Sequence, residues 1–288
     1  MRLIKVSIFF LLANLYLAQS FSLASDYNDI YPGGIIAKEI SHKEYEQDLF
    51  VNGNRLVKWR NDDNFYLVYG VPYDIKTGQN SLKVTNKDYK VLKKINIYIK
   101  DKEFKIQKIK VNKKYTKPSN KSIERIKKDK FKLTDARKIW LNNNPDLDFI
   151  LPARGIITGV FGTKRFYNGI EGRYHNGYDI AADIGTPILA PSSGKITLTG
   201  NFFFNGKTIY LDHGRGLKSI MIHLNEIFVN DNDYVKKGQI IGTIGTTGKS
   251  TGPHLHWSVL MNNTYVDPEM LLNKRIINNL NLEGSWKS

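Results

Sequence analysis

From Leu151 onward the chain is divided by glycine and turn residues into short apolar runs: Gly159–Val160–Phe161–Gly162, Asp183–Ile184–Gly185, Asp212–His213–Gly214 and Lys236–Lys237–Gly238. Many short runs closed in this way imply strands joined by tight connections, and so an antiparallel all-β domain. The upstream region also reads as β. Phe65–Tyr66–Leu67–Val68–Tyr69 is an apolar strand closed by Pro72 and the turn Lys76–Thr77–Gly78. Tyr89 to Ile99 and Phe104 to Val111 alternate apolar residues with lysine, the pattern of half-buried strands. Between the two regions, the polar stretch Asn112 to Asn120 reads as a linker. Ile123, Ile126, Phe131, Ala136 and Ile139 then recur at helical spacing between Ser122 and Trp140. The expected organisation is mainly β: a smaller all-β domain over 25–112, a linker and helical connector over 113–149, an antiparallel β domain over 150–273, and a tail over 274–288.

Residues 1–24 have the form of an export signal. Arg2 and Lys5 precede an apolar run from Val6 to Ala18, and Ser22 and Ala24 supply small residues at the spacing signal cleavage requires. The run is shorter than the roughly 18 residues of a membrane span and is interrupted by Ser7 and Asn14. No later stretch could span a bilayer, so the expected product is exported and soluble. The net charge of +16 is concentrated upstream, with 24 basic and 14 acidic residues in 25–130 against 17 and 13 in 131–288. Such a surface favours an anionic partner: nucleic acid, acidic lipid or a carboxylate-bearing wall polymer. The general abundance of lysine, asparagine and isoleucine accounts for the charge equally well, and no nucleic-acid-binding motif accompanies it. Cysteine is absent. That excludes disulfides, a thiol nucleophile and a lipidated-cysteine anchor, and leaves only histidine and carboxylates to hold a metal.

Five of the six histidines lie between 175 and 256. In His175–Asn176–Gly177–Tyr178–Asp179 a straight strand would hold the two ligand-type residues roughly 13 Å apart, so the chain must bend between them, and Gly177 permits a bend. In His254–Leu255–His256, residues two apart on a strand share a face, so one imidazole can bind an ion while the other stands ready for proton transfer; spacing does not say which does which. His223 alternates with Ile220, Ile222 and Leu224 and by itself reads as a half-buried core residue. His213 reads as a turn residue with a structural hydrogen bond, and His42 as surface. There is no H-E-x-x-H. Gly248–Lys249–Ser250 is not the end of a phosphate loop, because the earlier glycine position holds Thr243.

Taken together, these strings resemble the lysostaphin/LytM-type zinc endopeptidases that cut peptidoglycan. The likeness runs from about Ile150 to Leu272 and includes Phe161–Gly162, the H-x-G-x-D set and Gly185–Thr186–Pro187–Ile188–Leu189–Ala190–Pro191. It continues through His213–Gly214, His223–Leu224, Gly245 with Gly248, and Thr251–Gly252–Pro253–His254–Leu255–His256–Trp257. Tyr31–Pro32–Gly33–Gly34, Gly70–Val71–Pro72 and Phe104 to Lys117 more weakly resemble the β domain that precedes this catalytic domain in proteobacterial envelope members. The resemblance implies an antiparallel LytM-type peptidase fold with one zinc ion held by His175, Asp179 and His256, and His254 and His223 as the catalytic pair. It further implies peptidoglycan peptides as substrate, the D-Ala–diaminopimelate cross-link rather than glycine bridges, a periplasmic location, and room for a regulatory envelope protein. His254 would then move the proton while His223, with zinc, stabilised the oxyanion. Tyr178 is bulkier than the residue usual at its position, which bears on substrate fit rather than on metal binding. Degenerate relatives that act as non-enzymatic wall regulators have lost ligands, whereas every one is present here. The basic upstream domain would tether the enzyme to the wall or cover its groove.

Overall fold

A computed structural model describes residues 30–272; the expected export signal over 1–24 and the expected tail over 274–288 lie outside them. The chain is mainly β, as expected. Upstream, strands β1 (Ile35–Ile40), β2 (Val57–Asn61) and β3 (Asn64–Gly70) form an antiparallel sheet with β3 in the middle. The five-residue helix α1 (His42–Glu46) carries an exposed His42. Strands β4 (Gly78–Thr85) and β5 (Val91–Ile99) make a long hairpin beside them, and β6 (Ile106–Ile109) follows. Helix α2 (Asn120–Lys138) starts at Ser119, whose side chain accepts from Ser122 N–H.

The downstream half is a large antiparallel sheet. It contains β7 (Ile156–Gly159), β9 (Tyr178–Ala181), β10 (Gly194–Phe202), β11 (Gly206–Gly214), β12 (Leu217–Ile227), β13 (Ile240–Ile244) and β14 (His254–Met261), with β8 (Lys164–Tyr167) on a separate small sheet. Its central path runs β10-β11-β12-β14-β9-β7. Period-two alternation sorts the two faces of β14: Leu255, Trp257, Val259 and Met261 enter the main core, which leaves His254, His256 and Ser258 on the other face.

The expected break between the two β regions is not a break in packing. Ile35, Val57, Trp59, Tyr66 and Val68 belong to the same buried core as Trp257, Met261 and Val266. Asn262 clamps Gly70 from both sides, accepting its N–H at 2.7 Å and donating to its carbonyl at 3.2 Å. Strand β6 pairs in parallel with β8. Nor is the polar stretch after Asn112 a free linker, because Tyr115 donates its hydroxyl to Gly248 O and sets its ring edge-on to Phe203 at 5.5 Å. A single half-buried aromatic suffices to dock a segment that composition marks as solvent-loving. A chain begun near Phe131 would therefore lose core residues as well as charge.

Helix α2 also differs from its expected apolar stripe. Ile126, Asp129, Lys130, Leu133, Thr134 and Arg137 form its inward face, whereas Phe131 is 70% exposed. At about 100° per residue, Phe131 falls about 140° away from Ile126 around the helix. Leu133 and Ala136 pack on Tyr210 and Ile220 and hold the helix against the sheet.

His213 lies within β11 rather than in a turn, but its role is the expected structural one. It donates from Nδ1 to Ser193 O at 2.9 Å and accepts at Nε2 from Ser219 Oγ at 2.8 Å, while Ser219 accepts from Trp257 Nε1–H at 3.2 Å. Burial pulls its pKa down to about 4. A folded pKa below the unfolded value means that the unfolded chain takes the proton first, so stability falls as pH drops from about 6.5 towards 4. The loss attributable to this ring is up to ~3 kcal/mol. His213→Asn keeps a donor for Ser193 O and does not titrate, so its unfolding free energy, followed by denaturant titration, should fall less steeply over that window than the parent's. Parallel curves would show that His213 does not contribute.

Candidate active site and metal centre

Antiparallel pairing assembles the site. Asp179 on β9 lies directly opposite His256 on β14, and Ala181 opposite His254, while Ile222 on β12 lies opposite His256 from the other side. His175 comes in from the segment before β9. Its Nε2 is 2.9 Å from Asp179 Oδ1 and 2.9 Å from His256 Nδ1, and His256 Nδ1 is 2.8 Å from Asp179 Oδ1. Gly177 does not adopt the left-handed conformation. Its lack of a side chain matters instead because a Cβ there would lie 2.2 Å from Trp257 O, so glycine lets the incoming chain press against β14.

The protons of these groups are committed elsewhere. His175 Nδ1 lies 2.8 Å from Val160 O, an obligate acceptor, so this nitrogen carries the hydrogen and Nε2 presents a lone pair. His256 Nε2 donates to Asn176 Oδ1 at 3.1 Å and also meets Ser258 Oγ at 2.8 Å, leaving the Nδ1 lone pair inward. Burial, only partly offset by Asp179, pulls His256 down to about 4. Two imidazole lone pairs and a carboxylate oxygen thus converge where no hydrogen is left to share, which is the donor set of a divalent cation such as zinc. Among the described residues this is the one cluster of histidine and carboxylate groups that could hold such an ion.

Asp179 has a second partner that the sequence reading missed. Arg165 on β8 donates to its Oδ2 and, through Nε, to Gln107 Oε1 at 3.0 Å. A Cβ on Gly159 would lie 2.7 Å from Asp179 Oδ2 and 2.8 Å from Arg165 Nη2, so glycine makes room for the pair. One arginine among 43 basic residues carries no local signal. Ser258 was missed as well, although period-two alternation marks it as the next residue on the His254–His256 face.

His223 reaches the site by a backbone switch. Strict alternation would put it on the core face with Met221 and put Leu224 outside. Instead His223 takes φ 70°, a left-handed conformation rare for a non-glycine residue, and the strand reverses its faces there. Leu224 enters the core and His223 turns into the cleft. Its Nδ1 donates to Thr247 O at 2.7 Å, and its ring lies 4.9 Å from that of His254. Burial, then His254 and His256, push it down to about 3. His254 donates from Nδ1 to Gly252 O at 2.9 Å, and its Nε2 is 3.8 Å from Asp179 Oδ1. With Nδ1–H committed in both rings, Nε2 is the nitrogen that carries the lone pair of the neutral imidazole, the form in which burial keeps His223. In this state His223 is a proton acceptor, which does not suit the oxyanion-donor role implied by the resemblance until it has itself taken a proton.

These groups line a cleft of about 980 Å³ whose far wall is the inward face of α2. Tyr178 points the other way: it is buried in the core and donates to Glu269 Oε2 at 3.0 Å, so it does not touch whatever fills the cleft.

The profile of Peptidase family M23 matches residues 173–268. Peptidoglycan DD-endopeptidase ShyB of Vibrio cholerae is 38% identical over 113 residues, 38% of this chain and 26% of that protein. Lysostaphin of Staphylococcus simulans is 44% identical over 104 residues, 35% of this chain and 21% of that protein. The match thus spans only about a quarter of the length of these curated relatives. A crystal structure of a Pseudomonas aeruginosa protein provisionally assigned as an M23 peptidase superposes with TM-score 0.67 at 29% identity, over 85% of this chain and 96% of that one. That overlap extends well beyond the catalytic segment, so the likeness of fold includes upstream β structure. Over residues 173–268 this chain is therefore similar to Peptidase family M23.

Proposed function

We propose that this protein is an exported, zinc-dependent endopeptidase that hydrolyses peptide cross-links of peptidoglycan, at the bond between D-Ala and diaminopimelate. The observation that carries the reading is the convergence of three proton-free ligand atoms, from His175, Asp179 and His256, beside two imidazoles that aim Nε2 lone pairs into the same cleft. The names of ShyB and of the Neisseria DD-carboxypeptidase/endopeptidase Mpg favour the D,D bond. Among the described residues no helix is long and apolar enough to cross a membrane.

His175, Asp179 and His256 would hold zinc, which supplies Lewis acidity to the scissile carbonyl and the attacking water. Arg165 fixes the carboxylate through its second oxygen, as an outer partner orients a ligand. His254, with Nδ1–H anchored on Gly252 O, takes the water proton at Nε2 and returns it to the leaving amine. His223, anchored on Thr247 O, is a second acceptor beside it, and becomes a donor to the oxyanion once protonated.

Digestion of purified sacculi by the zinc-loaded protein, with mass identification of the released muropeptides, tests the assignment. Cross-linked dimers should disappear and monomers ending in a free D-Ala carboxyl should accumulate. Unchanged cross-linking would refute the assignment.

A further inference from the structure

We propose that Lys249, held over the ring of Tyr167, is a specificity-determining residue that receives a carboxylate of the substrate peptide beside the metal centre. The assignment deepens the peptidase reading and rests on it.

Strand β8 delivers two side chains to the cleft from one face, Arg165 and Tyr167, two residues apart. The first is committed to Asp179. The second carries the Lys249 ammonium 3.1 Å from its ring centroid. Lys249 itself sits in the segment between β13 and β14, and this segment is tied to both histidines of the proposed catalytic pair. Thr247 O accepts from His223, Ser250 Oγ lies 3.3 Å from His254 Nδ1, and Lys249 N–H donates to Phe204 O at 2.7 Å. The ammonium is therefore set at a fixed place relative to the reacting groups rather than waving from a loop.

Its charge is unmatched. Two acids line the cleft, and both are engaged: Asp179 with Arg165, and Asp129 with Arg125 at 3.8 Å and with Phe203 N–H at 2.7 Å. Among the described residues Lys249 has no carboxylate partner, and neither do Arg137 and Arg173 on the same cleft. Burial and the nearby Arg165 draw the Lys249 pKa down to about 8. A half-buried ammonium facing a cleft, stabilised only by a ring face, would gain most from an anion that arrives with the ligand. The ligand class that fits is a peptide with a free carboxylate near the scissile bond. A neutral bridge of glycine residues, or a peptide whose carboxylates are amidated, would lack that contact.

The test measures binding, separately from turnover. A synthetic stem tetrapeptide with free carboxylates and the same peptide with them amidated are titrated by calorimetry into the full-length, zinc-loaded protein. Amidation should weaken binding by about 10-fold or more, the scale of one charge-assisted contact. In Lys249→Met, checked for zinc content and thermal unfolding, the ratio should fall to about 2-fold or less, and Lys249→Arg should restore most of it. A ratio near one in the parent, no binding of either peptide, or a ratio unchanged in Lys249→Met would overturn the assignment. If the ratio behaves as expected and sacculi stay cross-linked, the carboxylate site stands and the peptidase reading fails.

Discussion

Replacing His175 or Asp179 by alanine should reduce bound zinc from about one ion per chain to a trace and abolish release of muropeptides from sacculi. With three protein ligands, each one removed leaves two, and no cysteine is present to substitute. The nearest spare nitrogen is His254 Nε2, 3.8 Å from Asp179 Oδ1. It could restore a third ligand only by leaving its own place. Asp179→Ala should be the more damaging change, because it also leaves the Arg165 guanidinium facing the metal position with no carboxylate between them. Asp179→Asn separates the two effects: it keeps an oxygen of the same shape while removing the charge that balances both the cation and Arg165. Its zinc affinity should fall between those of the parent and of Asp179→Ala. Elemental analysis of the purified variants, with thermal unfolding as a control for the fold, provides the measurement. Stoichiometric zinc in both alanine variants would end the metal assignment.

The second large effect separates chemistry from metal binding. His254→Ala should retain most of the zinc and lose turnover by at least about 100-fold, the scale of a lost acid–base group. Alanine at position 223 would confound the result, since φ 70° there is costly for a side chain other than asparagine, aspartate or glycine. His223→Asn tolerates that backbone, can still donate to Thr247 O, and replaces the imidazole beside His254 with an amide that takes no proton. It too should keep zinc and lose turnover. Should His254→Ala shed the metal while His256→Ala keeps it, the roles of the two histidines are reversed.

Some of this protein was written locally in the chain. Short apolar runs closed by glycine specify strands, because a period of two and a tight turn need only neighbouring residues. The same reasoning places His254, His256 and Ser258 on one face, since they are two apart on a strand. Alternation failed at His223, because a left-handed residue reverses the faces and only the β11–β12 and β12–β13 pairing shows where that happens. Which of His254 and His256 meets Asp179 is likewise a matter of register between β9 and β14, and one residue's slip would exchange every face. Arg165 and Lys249 had no local signature at all: each acquires its place from a strand, a ring or a carboxylate far away in sequence. The helical connector and the polar stretch before it were legible as secondary structure and composition. That they wall and brace the cleft, and that the upstream sheet shares its core with the peptidase domain, was decided by packing of Tyr115, Leu133, Trp59 and Val68 against partners more than 60 residues away. Local pattern determines which face of an element is apolar; only the packed structure determines what that face is buried against.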